Sequence, residues 1–285
     1  MPQRKDLPFL LALLDDDTPT VQAGVVTALK AFGPRLEGLS RPHRAQLDER
    51  QRMQLESILA QLDSERLANS WLGWLELEDF HHALEQAMIC LSEGEYGPQA
   101  RQLGVWLDEL ADQFDATHRS GRDSVALMQF LFADQGFRCV SESQQTYQHE
   151  FLYHLATHHQ GSPNALTCLA LLVGGRVGID MHGIIIRGHF MSMACQDTNL
   201  QMYNAYDGGK PLSRSSALYM EEALRRNCTW PSEMRAPVFE IVSRMLVQTI
   251  DRLKQKRTFA LAFRYQGYQR ELQQELQRRG LLTNE

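Results

Sequence analysis

Residues 164–177 form an almost uninterrupted apolar run, with Leu166, Leu169, Ala170, Leu171, Leu172 and Val173 spread around the whole circumference of a helical projection. A helix without a polar face is stable only when protein surrounds it. The run comes after Gln160-Gly161-Ser162-Pro163, where Ser162 is placed to cap the first free amides and Pro163 suits the first turn. Past Gly178 the texture changes to Ile179–Ile186, His189–Cys195 and Leu200–Tyr206, three short segments bounded by turn residues. These read as consecutive strands of an antiparallel meander. The expected core is therefore a buried helix packed on a small antiparallel sheet. The rest of the chain reads as helical, which makes the fold class α+β.

Leu7 to Phe32 predicts two short helices around Asp15-Asp16-Asp17-Thr18-Pro19, where the aspartates and the threonine can cap the second helix. Val21, Val25, Val26, Leu29 and Phe32 share one face of that helix. A helix pair with an acidic, proline-bearing turn is similar to a HEAT-type repeat, and one such unit must dock its apolar face on the next part of the chain. Further helices are expected over Arg44–Glu65, as a pair over Ala68–Leu91, and over Leu103–Phe114, Asp123–Phe132, His149–His159 and Ser213–Arg226. Phe137–Val140 reads as a short extended segment, and Pro237–Leu253 with Thr258–Arg279 as a closing helical pair similar to a tetratricopeptide unit. The organisation predicted is a HEAT-like region at 1–66, the mixed core at 67–230 and a helical segment at 231–285.

Charge and cysteine usage narrow the function classes. The net charge is −6 and neither end carries a basic block, so no phosphate-neutralising surface, and hence no nucleic-acid partner, is expected. No run approaches the roughly 18 apolar residues of a membrane span. Met1 to Asp6 lead into Pro-Phe-Leu without the apolar stretch of a secretory leader, which makes cytoplasmic residence the expectation. The five cysteines, Cys90, Cys139, Cys168, Cys195 and Cys228, contain no Cys-x-x-Cys pair, so neither a disulfide framework nor a zinc site is expected, and no cofactor is implied.

Three separated motifs share an order and a spacing: Gly161-Ser162-Pro163 at the helix start, Gly188-His189-Phe190 on the second strand, and Asn204-Ala-Tyr-Asp-Gly-Gly209 after the third. In this the chain resembles the SirB-type transglutaminase-like proteins of bacteria, over about Leu75 to Glu271. Active transglutaminase-like enzymes place a cysteine at the amino end of the buried helix, a histidine on the next strands and an aspartate one strand later. The helix terminus favours a thiolate, the histidine takes its proton and the acid orients the imidazole. Carried over by position, these sites fall at Pro163, His189 and Asn204. Proline has no nucleophilic atom. The SirB-type family generally reads Gly-Ile-Pro here, and the present chain departs further at Ser162 and Asn204.

Substitutes for the lost groups have ordinary readings beside the chemical one. Ser162 is a nucleophile candidate beside the vacant position, and also the expected helix cap. Cys168, one and a half turns into an apolar helix, reads as core. Asp207 could partner His189, although an aspartate before Gly-Gly is ordinarily a turn former. His154 and His158 stand i, i+4, a spacing compatible with a metal, but no zincin motif surrounds them, so no metal is expected. His182 reads as structural or exposed. The resemblance thus implies a non-catalytic protein-interaction or scaffolding module with a protein or peptide partner. Two alternatives stand beside it: an amide-bond hydrolase or acyl transferase built on His189 and an unusual nucleophile, and a peptide or metabolite sensor using Ser162, His189, Asn204 and Asp207.

Overall fold

The acidic turn does divide the amino-terminal region into two helices. A computed structural model of the protein describes residues 4–32, 35–186, 188–196, 199–213, 215–216 and 235–282, in two compact units, Met1–Trp71 and Leu72–Glu285. In the first unit α1 (Leu7–Ala12) and α2 (Pro19–Lys30) are joined through Asp16, whose Oδ1 accepts the Thr18 amide at 2.8 Å. Neither Thr18 nor the aspartates cap an α2 amide by side chain; Pro19 at the first helical position leaves one fewer amide to satisfy. After α3 (Arg35–Ser40) comes α4 (Glu49–Ser70), against which both α1 and α2 pack. Leu11, Leu29 and Leu55 are 0–1% exposed in the shared core, so the apolar face of the pair is covered from within its own unit.

In the second unit the expected pair over Ala68–Leu91 has one full helix, α5 (Phe80–Tyr96), preceded by a 3-10 turn at Gly73–Glu76 that buries Trp74. Next come α6 (Leu103–Thr117) and α7 (Ser124–Gln129), which continues into a π-helical turn, Phe130–Asp134. The extended segment is the two-residue β1 (Arg138–Cys139). The helix expected at His149–His159 is broken: a 3-10 turn, Tyr147–Glu150, is closed by a capping box between Thr146 and His149, and α8 (Leu152–His158) starts only after Phe151. The two-residue β2 (Gln160–Gly161) lies parallel to β1, and α9 (Pro163–Arg176) comes next with every residue from Pro163 to Gly174 buried.

Strands β3 (Met181–Ile186), β4 (His189–Gln196) and β5 (Asn199–Asn204) form the meander, with Ile186 opposite His189 and Ser192 opposite Tyr203. A fourth short strand, β6 (Lys210–Pro211), extends it in the order β3-β4-β5-β6. The third strand ends sooner than its apolar pattern suggested, because Asn204 caps a 3-10 turn at Ala205–Asp207. Helix α9 packs against β3 and β4, and α6, α5 and α8 also border it. At Gly183 an added Cβ would stand 2.7 Å from Phe190 of β4 and 3.0 Å from Leu171 of α9, so the helix and sheet are close there. The helix expected at Ser213–Arg226 lies outside the described residues.

Two long helices close the unit. On α10 (Val238–Gln255), Ile241, Val242, Met245, Leu246, Ile250 and Leu253 are buried, and it packs along α11 (Phe259–Arg278), α5 and the Tyr147–Glu150 turn. Its start is tied to the edge of the sheet. The Ala236 amide donates to Gly183 O at 2.8 Å, and Arg235 Nε donates to Nδ1 of buried His182 at 2.9 Å. Burial first, and then Arg235, hold the His182 imidazole below its ordinary pKa, so the neutral ring accepts from arginine. His182 is thus a structural, buried residue. Among the described residues no helix is long and apolar enough to cross a membrane.

Candidate functional site

Each residue of Gly161-Ser162-Pro163 has a local task. At Gly161 an added Cβ would lie 3.0 Å from the Leu155 side chain, so glycine lets α8 approach β2 without displacing that leucine. The Ser162 amide donates to His149 O at 2.8 Å, and its hydroxyl accepts the Ala165 amide at 3.2 Å, which caps α9 as its sequence position suggested. The same hydroxyl donates to Glu150 Oε2 at 2.9 Å, and Asn164 Nδ2 reaches that oxygen at 3.1 Å.

Glu150 is 1% exposed, brought beneath the start of α9 by the 3-10 turn that precedes α8. Arg252 Nη2 of α10 stands 3.3 Å from its other oxygen. Burial pushes the Glu150 carboxyl above the usual carboxylate range, opposed first by Arg252 and then by Asn164 and Ser162. Arg244, two turns earlier on α10, donates from Nε to Asn164 Oδ1 at 3.2 Å and from Nη2 to Gly188 O. A buried carboxyl, two amino-terminal α9 side chains and two α10 arginines thus make one network.

In front of this network lies a cavity of about 380 Å³. Pro163, His189 and Asn204 all line it, together with Asn164 and Arg244, Gln248 and Arg252 of α10. The three arginine and glutamine positions are spaced i, i+4, i+8, one ridge of a helix. Phe190, Met191, Leu212 and Tyr206 give it apolar wall, and exposed Glu142 also lines it. A family model described as the transglutaminase-like superfamily matches residues 100–247, just over half the chain and the span that carries all three motif positions. The protein belongs to that superfamily. No curated protein and no solved structure matches it.

Within this transglutaminase-like core the residues expected to cooperate do not all do so. Ser162 is fully buried and its hydroxyl is committed to Glu150 and the Ala165 amide, so it is not poised on His189. Asn204 uses Oδ1 to accept the Tyr206 amide at 3.0 Å, and Asp207 is an exposed member of the turn. Among the described residues no hydrogen bond joins His189 to either. Among the described residues Cys90, Cys139 and Cys168 form no disulfide, and none lines the cavity. Cys168 is core, its thiol pushed up by burial; Cys139 is half-buried beside Gln145, and burial raises it to about 11. The side chain of Cys195, and Cys228 altogether, lie outside the described residues.

Glu150, Asn164, Arg244, Gln248 and Arg252 were missed by reading the sequence. Glu150 stands in the polar stretch Gln148-His149-Glu150, which reads as surface, and the α10 residues read as the solvated face of an amphipathic helix. The spacing of 244, 248 and 252 was the available signal, but every surface helix carries such polar rows.

His154 and His158 do stand together, with ring centroids 4.2 Å apart and His149 4.9 Å from His154. Among the described residues no group of three or more potential ligands could hold a metal. Tyr96 Oη lies 3.1 Å from His154 Nδ1. Burial first, then His158 and His149, lower the His154 pKa to about 4, from 6.5 in the unfolded chain. Because the folded pKa is depressed, the unfolded state binds the proton first; the stability due to neutral His154 is complete above pH 6.5 and is lost as the pH falls toward 4. Thermal melting across that window is expected to show a falling midpoint that His154→Gln partly flattens. Parallel profiles for the two proteins would show that His154 contributes no such linkage.

Proposed function

We propose that this protein is a non-catalytic, SirB-type member of the superfamily, whose groove at the amino end of α9 holds a peptide segment of a partner protein without cutting it. The observation that carries this reading is Pro163 lining the groove beside His189, where the chemistry of acyl transfer requires a nucleophile. Two further observations support it. The adjacent hydroxyl of Ser162 is locked as a cap, and the described thiols nearest in sequence to the site, Cys139 and Cys168, are raised in pKa and stand outside the cavity. What is left is a cavity with polar and apolar walls, of a size common for ligand sites.

The test is the rate of alkylation of each of the five cysteines against pH on the native protein, with modified positions mapped by mass spectrometry. All five are expected to react slowly at pH 7, and Cys139 to accelerate only in strongly alkaline solution. A cysteine that reacts fast at pH 7, and slows when His189 is replaced by alanine, would mean an activated thiolate and an amide-bond enzyme instead.

A further inference from the structure

The two arginines that line the groove are partnered differently. Arg252 is held against Glu150, but Arg244 bonds only the neutral oxygens of Asn164 and Gly188. Among the described residues no carboxylate forms an ion pair with Arg244. Arg252 also keeps a buried Nη1 without a hydrogen-bond partner. A guanidinium brought to the wall of a part-enclosed cavity is costly to desolvate unless an anion meets it there, and its planar fork suits a carboxylate. Phe190, Met191 and Leu212 line the same cavity, so apolar wall accompanies the cationic one. The carboxylate of Glu142 in the lining, and a volume of about 380 Å³, disfavour a densely charged polyanion.

From this geometry we infer that the groove recognises a carboxylate on an apolar stem, seated against Arg244 beside Asn164 and His189. The inference rests on the binding reading above and gives it a ligand chemistry. In a peptide such a group has two sources, the free carboxyl terminus after an apolar last residue or an acidic side chain. The Arg244–Asn164 hydrogen bond presents the guanidinium with a fixed orientation, which lowers the ordering cost of a bidentate contact.

The test uses the full-length protein, immobilised, and three hexapeptide pools of matched composition. One pool ends in leucine with a free carboxylate, one in leucine amide, and one in leucine amide with a single internal glutamate. Retained peptides are quantified by mass spectrometry for the wild type and for Arg244→Gln, whose melting temperature is checked against the wild type. A charge-assisted contact of this kind predicts about tenfold or greater enrichment of a carboxylate-bearing pool over the plain amide, and parity between them in Arg244→Gln. Preference for the first pool assigns the chain terminus; preference for the third assigns an acidic side chain. Equal retention of all three, or a preference that survives Arg244→Gln, overturns the carboxylate assignment while leaving peptide capture standing. Retention of no pool overturns both. Arg252→Gln is a poorer test because it also strands Glu150 in the interior.

Discussion

Replacing Glu150 by alanine is expected to lower the unfolding free energy by about 3–5 kcal/mol, the scale for removing one partner of a buried ion pair. The carboxyl is the common acceptor for Ser162 and Asn164 and the counter-charge of Arg252, so its loss removes the acceptor of two donors and the partner of one cation. Glu150→Gln keeps an acceptor oxygen and most of the volume, and is expected to cost about 1–3 kcal/mol. The two variants also separate the effect of charge. Because burial raises the folded-state pKa above the unfolded 4.5, the wild type gains stability from the protonated form, fully below 4.5, and loses it as the pH rises through the folded pKa. Glutamine mimics that protonated form, so the penalty of Glu150→Gln should be smaller at neutral pH than at pH 4. Denaturant unfolding at the two pH values measures both effects. A loss below about 1 kcal/mol for the alanine variant would mean that the start of α9 is held by packing alone.

The second large effect is chemical. Replacing Pro163 by cysteine is expected to create a thiol that alkylates on the order of a hundredfold faster at pH 7 than Cys139. The substitution costs little conformationally, since proline at the first helical position is favourable but not required. The new thiol would stand at the amino end of a fourteen-residue helix, in a cavity lined by His189, Arg244 and Arg252, all of which favour the thiolate. Cys139, raised to about 11, is almost wholly protonated at neutral pH. Adding His189→Ala should slow the engineered thiol by about tenfold, less than the roughly hundredfold or more of a positioned general base. An unreactive thiol at position 163 would mean that this end of α9 does not have the electrostatics of a nucleophile site.

Features that depend on near neighbours in the chain were legible before any tertiary structure. The apolar run of α9 needed no tertiary information to be read as buried, and the Ser162 cap and the β3–β5 meander come from local patterning over a few residues. His189 and its companions Pro163 and Asn204 could be named because short motifs keep a fixed order along the chain, and they do line one cavity. Local patterning failed where a side chain's environment is supplied from far away. Glu150 looks like a surface residue until α9 and α10 close over it, and its capping turn breaks the helix that the periodicity over His149–His159 suggested. Arg244 meets Asn164 across 80 residues of chain, and Arg252 meets Glu150 across a still longer span. The start of α10 is tied to the β3 edge by Arg235 and Ala236, contacts between residues more than fifty positions apart in the chain. Periodicity says which helix face is polar, but which polar face meets water and which meets another charge is decided by how the helices pack, and the inner wall of the groove is made of such residues.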